Sequence, residues 1–193
     1  MSVEYWFSVP LFVHDFPIEQ LDTIQQEIKN SINDISADKK NSPWGDRVET
    51  TFSKEQLVND VEQYGLQALH SAILESVNSY CGNIKYPNPD FALTESWFNF
   101  YQTSDFQYDH THPQNRISGV YYYNATESDG KIRFQTPNPH MQFGGFPSDR
   151  IAVDAVSYRP KTGRIILFPS WLSHRVNINE TTGERISVAF NLR

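Results

Sequence analysis

The spacing of apolar residues changes once along this chain, near residue 90. Before that point the steps are of three and four. Ile18, Leu21, Ile24, Ile28, Ile32 and Ile35 predict an amphipathic helix with one buried stripe. Pro17 suits its first position, with Asp15 as the cap. Ahead of it, Tyr5, Phe7, Val9, Leu11 and Val13 alternate, which predicts a strand over residues 4–14 interrupted by Pro10. Residues 37–51 are polar, contain Pro43 and Gly45, and read as a surface loop. Ser53-Lys-Glu-Gln56 matches a capping box. It would open a second helix striped by Val58, Val61, Gly65, Ala68, Leu69, Ala72, Ile73, Val77 and Tyr80, stopped by Gly82 and followed by a turn over 86–89.

After about residue 91 the period is two. Strands are expected over 93–101, 116–124, 131–135, 151–158, 164–168, 175–178 and 185–191, separated by turn-forming Ser-Asp-Gly, Pro-Asn-Pro, Lys-Thr-Gly and Thr-Thr-Gly-Glu. Many short strands of this kind predict a mainly β fold, a jelly roll, with the two helices packed on one face. At 193 residues the chain is the length of one domain. The helical support would cover about 15–82 and the jelly-roll core about 91–193. No heptad pattern marks an oligomer.

Composition narrows the function by exclusion. The formal net charge is -7, so clustered Lys and Arg for nucleic acid or an anionic membrane are not expected. A single cysteine, Cys81, rules out an intrachain disulfide and a cysteine-built zinc site. The first residues lack a basic segment followed by an apolar run, and no stretch reaches the roughly 20 apolar residues a spanning helix needs. The expected location is the cytoplasm.

The chemistry gathers around Tyr108-Asp-His110-Thr-His112-Pro113. On an extended segment His110 and His112 point the same way and can share one metal ion, while Asp109 points to the other face. A third histidine, His174, follows a much later strand, and a jelly roll returns the chain to one mouth. Three ligands on one side leave open positions, which suits non-haem iron or catalytic zinc. Arg185 sits on the last strand, where a guanidinium aimed into a barrel is costly unless it meets an anion. The long segment 136–149, with Pro137, Pro139, Gly144, Gly145 and Phe146, is expected to cover the mouth and select substrate. His14, His70 and His140 are read as structural or surface residues, and the sequons at Asn124 and Asn179 carry no weight without a secretion signal.

This order of features resembles the 2-oxoglutarate- and Fe(II)-dependent oxygenases, which have a double-stranded β-helix, cupin-like fold. The His-x-His-Pro and Ser-Gly-Val-Tyr-Tyr motifs are similar to those of members in marine bacteria and phages. The resemblance implies His110, His112 and His174 as metal ligands, with His112 standing where the superfamily usually has a carboxylate. It implies Arg185-x-Ser187 on the far carboxylate of 2-oxoglutarate, Tyr122 as a cosubstrate contact, and Asn99-Phe-Tyr101 as the matching motif on the strand before. The implied reaction is an O2-dependent hydroxylation of an unidentified substrate, a small molecule or a protein side chain. Two other readings stay open on the residues alone. One is a three-histidine cupin enzyme needing no oxoacid. The other is a non-catalytic jelly roll that binds through aromatic residues such as Trp171 and Tyr108.

Overall fold

The computed structural model describes residues 8–87, 90–138 and 154–193. Two antiparallel sheets lie against each other, and two long helices cover the outer face of one of them. The first strand, β1 (Phe12–Asp15), keeps only the end of the expected 4–14 strand: residues 8–11 belong to no strand, and residues 1–7 lie outside the described residues. Helix α1 (Ile18–Ala37) follows, with Pro17 as its N-cap. Asp15 caps nothing: it pairs with Arg164 at 2.7 Å and Lys161 at 2.9 Å, and these ion pairs lower its carboxyl to about 2. Of the predicted stripe, Ile24, Ile28 and Ile35 are buried, whereas Ile18 is 66% exposed.

Residues 37–51 are not a plain loop. They form three two-residue strands, β2 (Lys40–Asn41), β3 (Gly45–Asp46) and β4 (Glu49–Thr50). The predicted second helix is also two pieces, α2 (Asp60–Gln63) and α3 (Gln67–Asn83). Gly65 sits between them at φ 65°, a left-handed conformation that ends one helix and reorients the next. No helix starts at Ser53, whose hydroxyl accepts from the Glu55 amide in a local turn. Gly82 does not stop α3, which runs one residue further, and Lys85 takes the left-handed position beyond it (φ 53°). The turn expected over 86–89 includes residues 88–89, which are outside the described residues.

The remaining strands are β5 (Leu93–Tyr101), β6 (Phe106–His110), β7 (Ile117–Asn124), β8 (Ile132–Gln135), β9 (Ala155–Tyr158), β10 (Arg164–Pro169), β11 (His174–Val176) and β12 (Arg185–Leu192). The larger sheet has the order β1-β10-β7-β12-β5-β4-β2 and the smaller β3-β6-β11-β8-β9. Neither closes on itself. The two-residue alternation explains the layering: Ile186, Val188, Phe190 and Leu192 face the helices together with Phe98, Phe100, Tyr121, Ile165 and Leu167. The opposite face of the same strands carries Arg185, Ser187, Asn99, Tyr101 and Tyr122 toward the smaller sheet. Gly119 is required in β7, because a Cβ there would lie 2.3 Å from the Phe190 ring and 2.7 Å from Leu167. No helix among the described residues is long and apolar enough to cross a membrane.

Candidate active site

The three histidines come from the smaller sheet and the chain just beyond it. His110 ends β6 and pairs directly with His174, the first residue of β11. Between them the register slips: Gln107 pairs with Val176, so β6 spends one residue more than β11 over this stretch. This bulge turns both Tyr108 and Asp109 outward and lets Gln107 and His110 both face inward. Asp109 therefore stays away from the histidines and meets Arg175 at 3.6 Å instead. His112 lies beyond the strand end. Its amide donates to the Ser170 carbonyl at 2.9 Å, which brings its ring back toward the other two.

One ring nitrogen of each histidine lies within 4.8 Å of those of the other two. Their remaining nitrogens are all engaged with oxygen. His110 Nδ1 is 2.7 Å from the Tyr108 carbonyl, His174 Nδ1 is 2.9 Å from the Leu172 carbonyl, and His112 Nδ1 is 2.6 Å from Asn191 Oδ1. These oxygens can only accept, so each Nδ1 carries the hydrogen and each Nε2 keeps its lone pair. Burial pushes all three imidazoles below their ordinary range, His112 to about 4 and His174 well down, with the neighbouring rings adding to the effect on both. Three neutral rings with free lone pairs converge. That donor set fits one divalent ion with open positions.

Around it the walls are aromatic. Phe168 and Phe134 pack on His174 at 4.6 and 5.8 Å between ring centroids, Trp97 lies 5.7 Å from His112, and Trp44 stacks parallel to His110. A small cavity of ≈ 40 Å³ runs inward from the histidines and is lined at its other end by Asn99, Tyr101, Tyr122, Arg185 and Ser187. Adjacent registers bring these five together: Arg185 pairs with Tyr101, and Ser187 with Asn99 on one side and Tyr122 on the other. The space holds a few waters, so a larger guest requires lining side chains to rotate. An outer cleft of ≈ 410 Å³ shares Trp44, Trp97, His110 and His112 with it. A larger cleft, ≈ 560 Å³, lies beside Tyr108, Asp109, Lys131 and Arg175 and touches none of the three histidines.

Arg185 is 1% exposed, yet among the described residues no carboxylate meets it. Its guanidinium lies 3.7 Å from the Tyr101 ring centroid, one terminal nitrogen donates to the Gly130 carbonyl at 2.6 Å, and Nε has no partner. Asn99 Oδ1 is likewise buried without a partner. A buried guanidinium with unused donors beside a cavity is a place for an anionic guest. It is not the surface ion pair with Glu184 or Asp154 that a strand arginine could have made.

The family described as "Putative 2OG-Fe(II) oxygenase" matches residues 95–191, the span that contains the histidines, Asn99, Tyr101, Tyr122, Arg185 and Ser187. The chain belongs to the 2OG-Fe(II) oxygenase family. Fe(II) and 2-oxoglutarate are thereby its cofactor and cosubstrate. No curated protein matches the oxygenase in sequence. Solved structures share its fold at low identity. A Pseudomonas putida prolyl-4-hydroxylase is 15% identical, with a TM-score of 0.63 over 96% of this chain and 93% of that one. HygX from Streptomyces hygroscopicus, solved with nickel and 2-oxoglutarate bound, is 12% identical, with a TM-score of 0.61 over 95% and 82%. A Trichoplax adhaerens prolyl hydroxylase in complex with a hypoxia inducible factor peptide is 12% identical, with a TM-score of 0.60 over 94% and 82%.

Sequence reasoning missed Asn191, Ser118 and Ser170, which surround His112. It also missed Trp44 and the carbonyl of Gly130. The inward alternation of β12 pointed to Asn191 on the face of Arg185 and Ser187; nothing in the sequence pointed to Gly130. His140 and most of the expected 136–149 cover lie outside the described residues.

Proposed function

We propose that the oxygenase hydroxylates its substrate at an Fe(II) ion held by His110, His112 and His174, with 2-oxoglutarate anchored by Arg185 and Ser187. The observation that carries this reading is the pairing of two incomplete groups across one cavity: three imidazole lone pairs at one end and a buried guanidinium lacking an anion at the other. A dianionic oxoacid complements both. It would neutralise an ion that receives no charge from three neutral rings, and its far carboxylate would take the free donors of Arg185 with the Ser187 hydroxyl beside it. Tyr122, Asn99 and Tyr101 would line the chain between. When bound, the iron and the oxoacid supply the oxidising chemistry that activates O2.

The chain's own part is positional. The Nδ1 hydrogen bonds hold three rings in the tautomer a metal needs, and the aromatic walls keep water from the reacting groups. The outer cleft, which opens onto His110 and His112, would take the substrate, a small molecule or a protein side chain. Anaerobic titration of Fe(II)-loaded protein with 2-oxoglutarate tests the reading. The expected result is a visible charge-transfer band that saturates at one oxoacid per iron. Iron bound without any such band would remove the proposed oxoacid site.

A further inference from the structure

Among the described residues no carboxylate joins the three histidines where the superfamily usually has one, but one stands two hydrogen bonds away. Asn191, only 3% exposed, bridges His112 and Glu95. Its Oδ1 lies 2.6 Å from His112 Nδ1, and its Nδ2 donates to Glu95 Oε2 at 2.7 Å. We infer that Glu95 and Asn191 are positioning residues that lock His112 in its Nδ1–H form, leaving Nε2 free for the metal. The inference rests on His110, His112 and His174 being the ligands.

The reasoning is one of donors and acceptors. An amide can present either end to a neighbour, and a neutral imidazole can carry its hydrogen on either nitrogen, so the Asn191–His112 pair alone has two self-consistent arrangements. In one, Asn191 offers oxygen and Nδ1 holds the hydrogen. In the other, Asn191 offers its NH2 and the hydrogen moves to Nε2, which closes the metal position. Glu95 breaks the tie, because its Oε2 accepts from the NH2 end of Asn191 and so turns Oδ1 toward the ring. Two further contacts agree. Ser118 Oγ donates to Asn191 Oδ1 at 2.7 Å, with Ser170 Oγ 2.8 Å behind it. Asn115 Nδ2 also reaches Glu95 Oε2 at 3.2 Å, its own amide oriented by Arg193 Nε donating to Oδ1 at 2.9 Å. The polarity of the whole chain is thus set from its charged ends.

The test reads the ring directly and needs no turnover. Long-range 1H–15N spectra of metal-free protein, labelled at histidine, report which nitrogen of His112 bears hydrogen; calorimetric titration with Ni(II) reports metal affinity. Wild type is expected to show the Nδ1–H form. Glu95→Ala is expected to shift His112 toward Nε2–H and to weaken Ni(II) binding tenfold or more, the usual scale for losing a residue that orients a ligand. Adding Asn191→Asp to Glu95→Ala should restore both, because a carboxylate at 191 accepts through either oxygen and needs no orienting. A merely structural bridge would not recover, since the double variant has lost the Glu95 bond as well. The inference is overturned by Nε2–H at His112 in wild type, by unchanged tautomer and affinity in Glu95→Ala, or by a folded double variant that fails to recover. Should Glu95→Ala not fold, Asn191→Ala is read in its place, and a retained Nδ1–H form with unchanged Ni(II) affinity there overturns the inference. Absence of Ni(II) binding by wild type would instead overturn the ligand set itself, a separate result.

Discussion

Replacing Arg185 by methionine separates its part in binding from its part in folding. In the unliganded protein the guanidinium contributes one charge-assisted bond to Gly130, worth about 1.5–3 kcal/mol, and a stacked contact with Tyr101 worth about 1–2 kcal/mol. Against this stands the desolvation of a fully buried cation with no counter-ion among the described residues, several kcal/mol in effect. The two nearly cancel. Arg185→Met should therefore shift unliganded stability by about 1 kcal/mol or less, some 2–4 °C in Tm for a chain of this length. Binding should change far more. Loss of a forked pair of bonds to a carboxylate removes about 3–5 kcal/mol, a weakening of roughly 150- to 4,500-fold for 2-oxoglutarate. Pyruvate, which has the chelating end of the oxoacid but no far carboxylate, should bind wild type and variant alike. The assay is anaerobic titration of the charge-transfer band with each oxoacid, beside thermal unfolding of the metal-free proteins. If 2-oxoglutarate binds Arg185→Met within tenfold of wild type, or if pyruvate loses as much affinity as 2-oxoglutarate, the anion-anchor argument is wrong.

Gly130→Ala should weaken 2-oxoglutarate at least tenfold in the same titration, because a Cβ there would sit 2.2 Å from the Asn177 carbonyl and must displace the backbone that receives Arg185. Asp60 is buried with its carboxyl raised to about 6 by desolvation, so its folded form holds a proton more readily than the unfolded chain, and stability falls as pH rises from about 4 through 6. Asp60→Asn should raise Tm at pH 7.5 and lose most of that gain at pH 4.5; an equal gain at both would refute the assignment. The three histidines act in the opposite sense: their depressed values mean the unfolded chain protonates first, so metal-free stability should drop as pH falls from about 6.5 toward 4, and His112→Gln should flatten that slope in acid denaturation curves. Ni(II) at a hundred times its Kd should stabilise wild type by about 2.7 kcal/mol in thermal melts, and His174→Ala should abolish the effect.

The strands were legible where alternation is strict. β5 and β12 have the expected extents to within a residue, since one face meets the helices and the other the cavity, and a period of two survives only under both constraints. Arg185, Ser187, Asn99, Tyr101 and Tyr122 were named through the family resemblance, and the same alternation is what gathers them on one face. The helical half was read less well. A stripe through Gly65 continues the period of three and four, and only the left-handed turn at that glycine, invisible to periodicity, divides α2 from α3. The strands β2 to β4 are two residues long, too short for any pattern, and owe their conformation to the edges they join. His110 and His112 were found as a pair, but not for the right geometric reason. Simple alternation put both on one strand, whereas a bulge aims the first and a backbone bond to Ser170 returns the second. Long-range hydrogen bonds such as Asn191 to His112 leave no local trace in sequence.

The short segment around β3 and β4 hydrogen-bonds to both sheets, β3 to β6 and β4 to β5. It works as a staple across an otherwise open seam, and it carries Trp44 against His110. The histidines belong to one sheet's side and Arg185 to the other, so a guest reaching from one to the other becomes a second, removable tie between the same two halves. The spacing of the two sheets would then gauge ligand length, and the staple would hold that gauge at its setting with the cavity empty or filled.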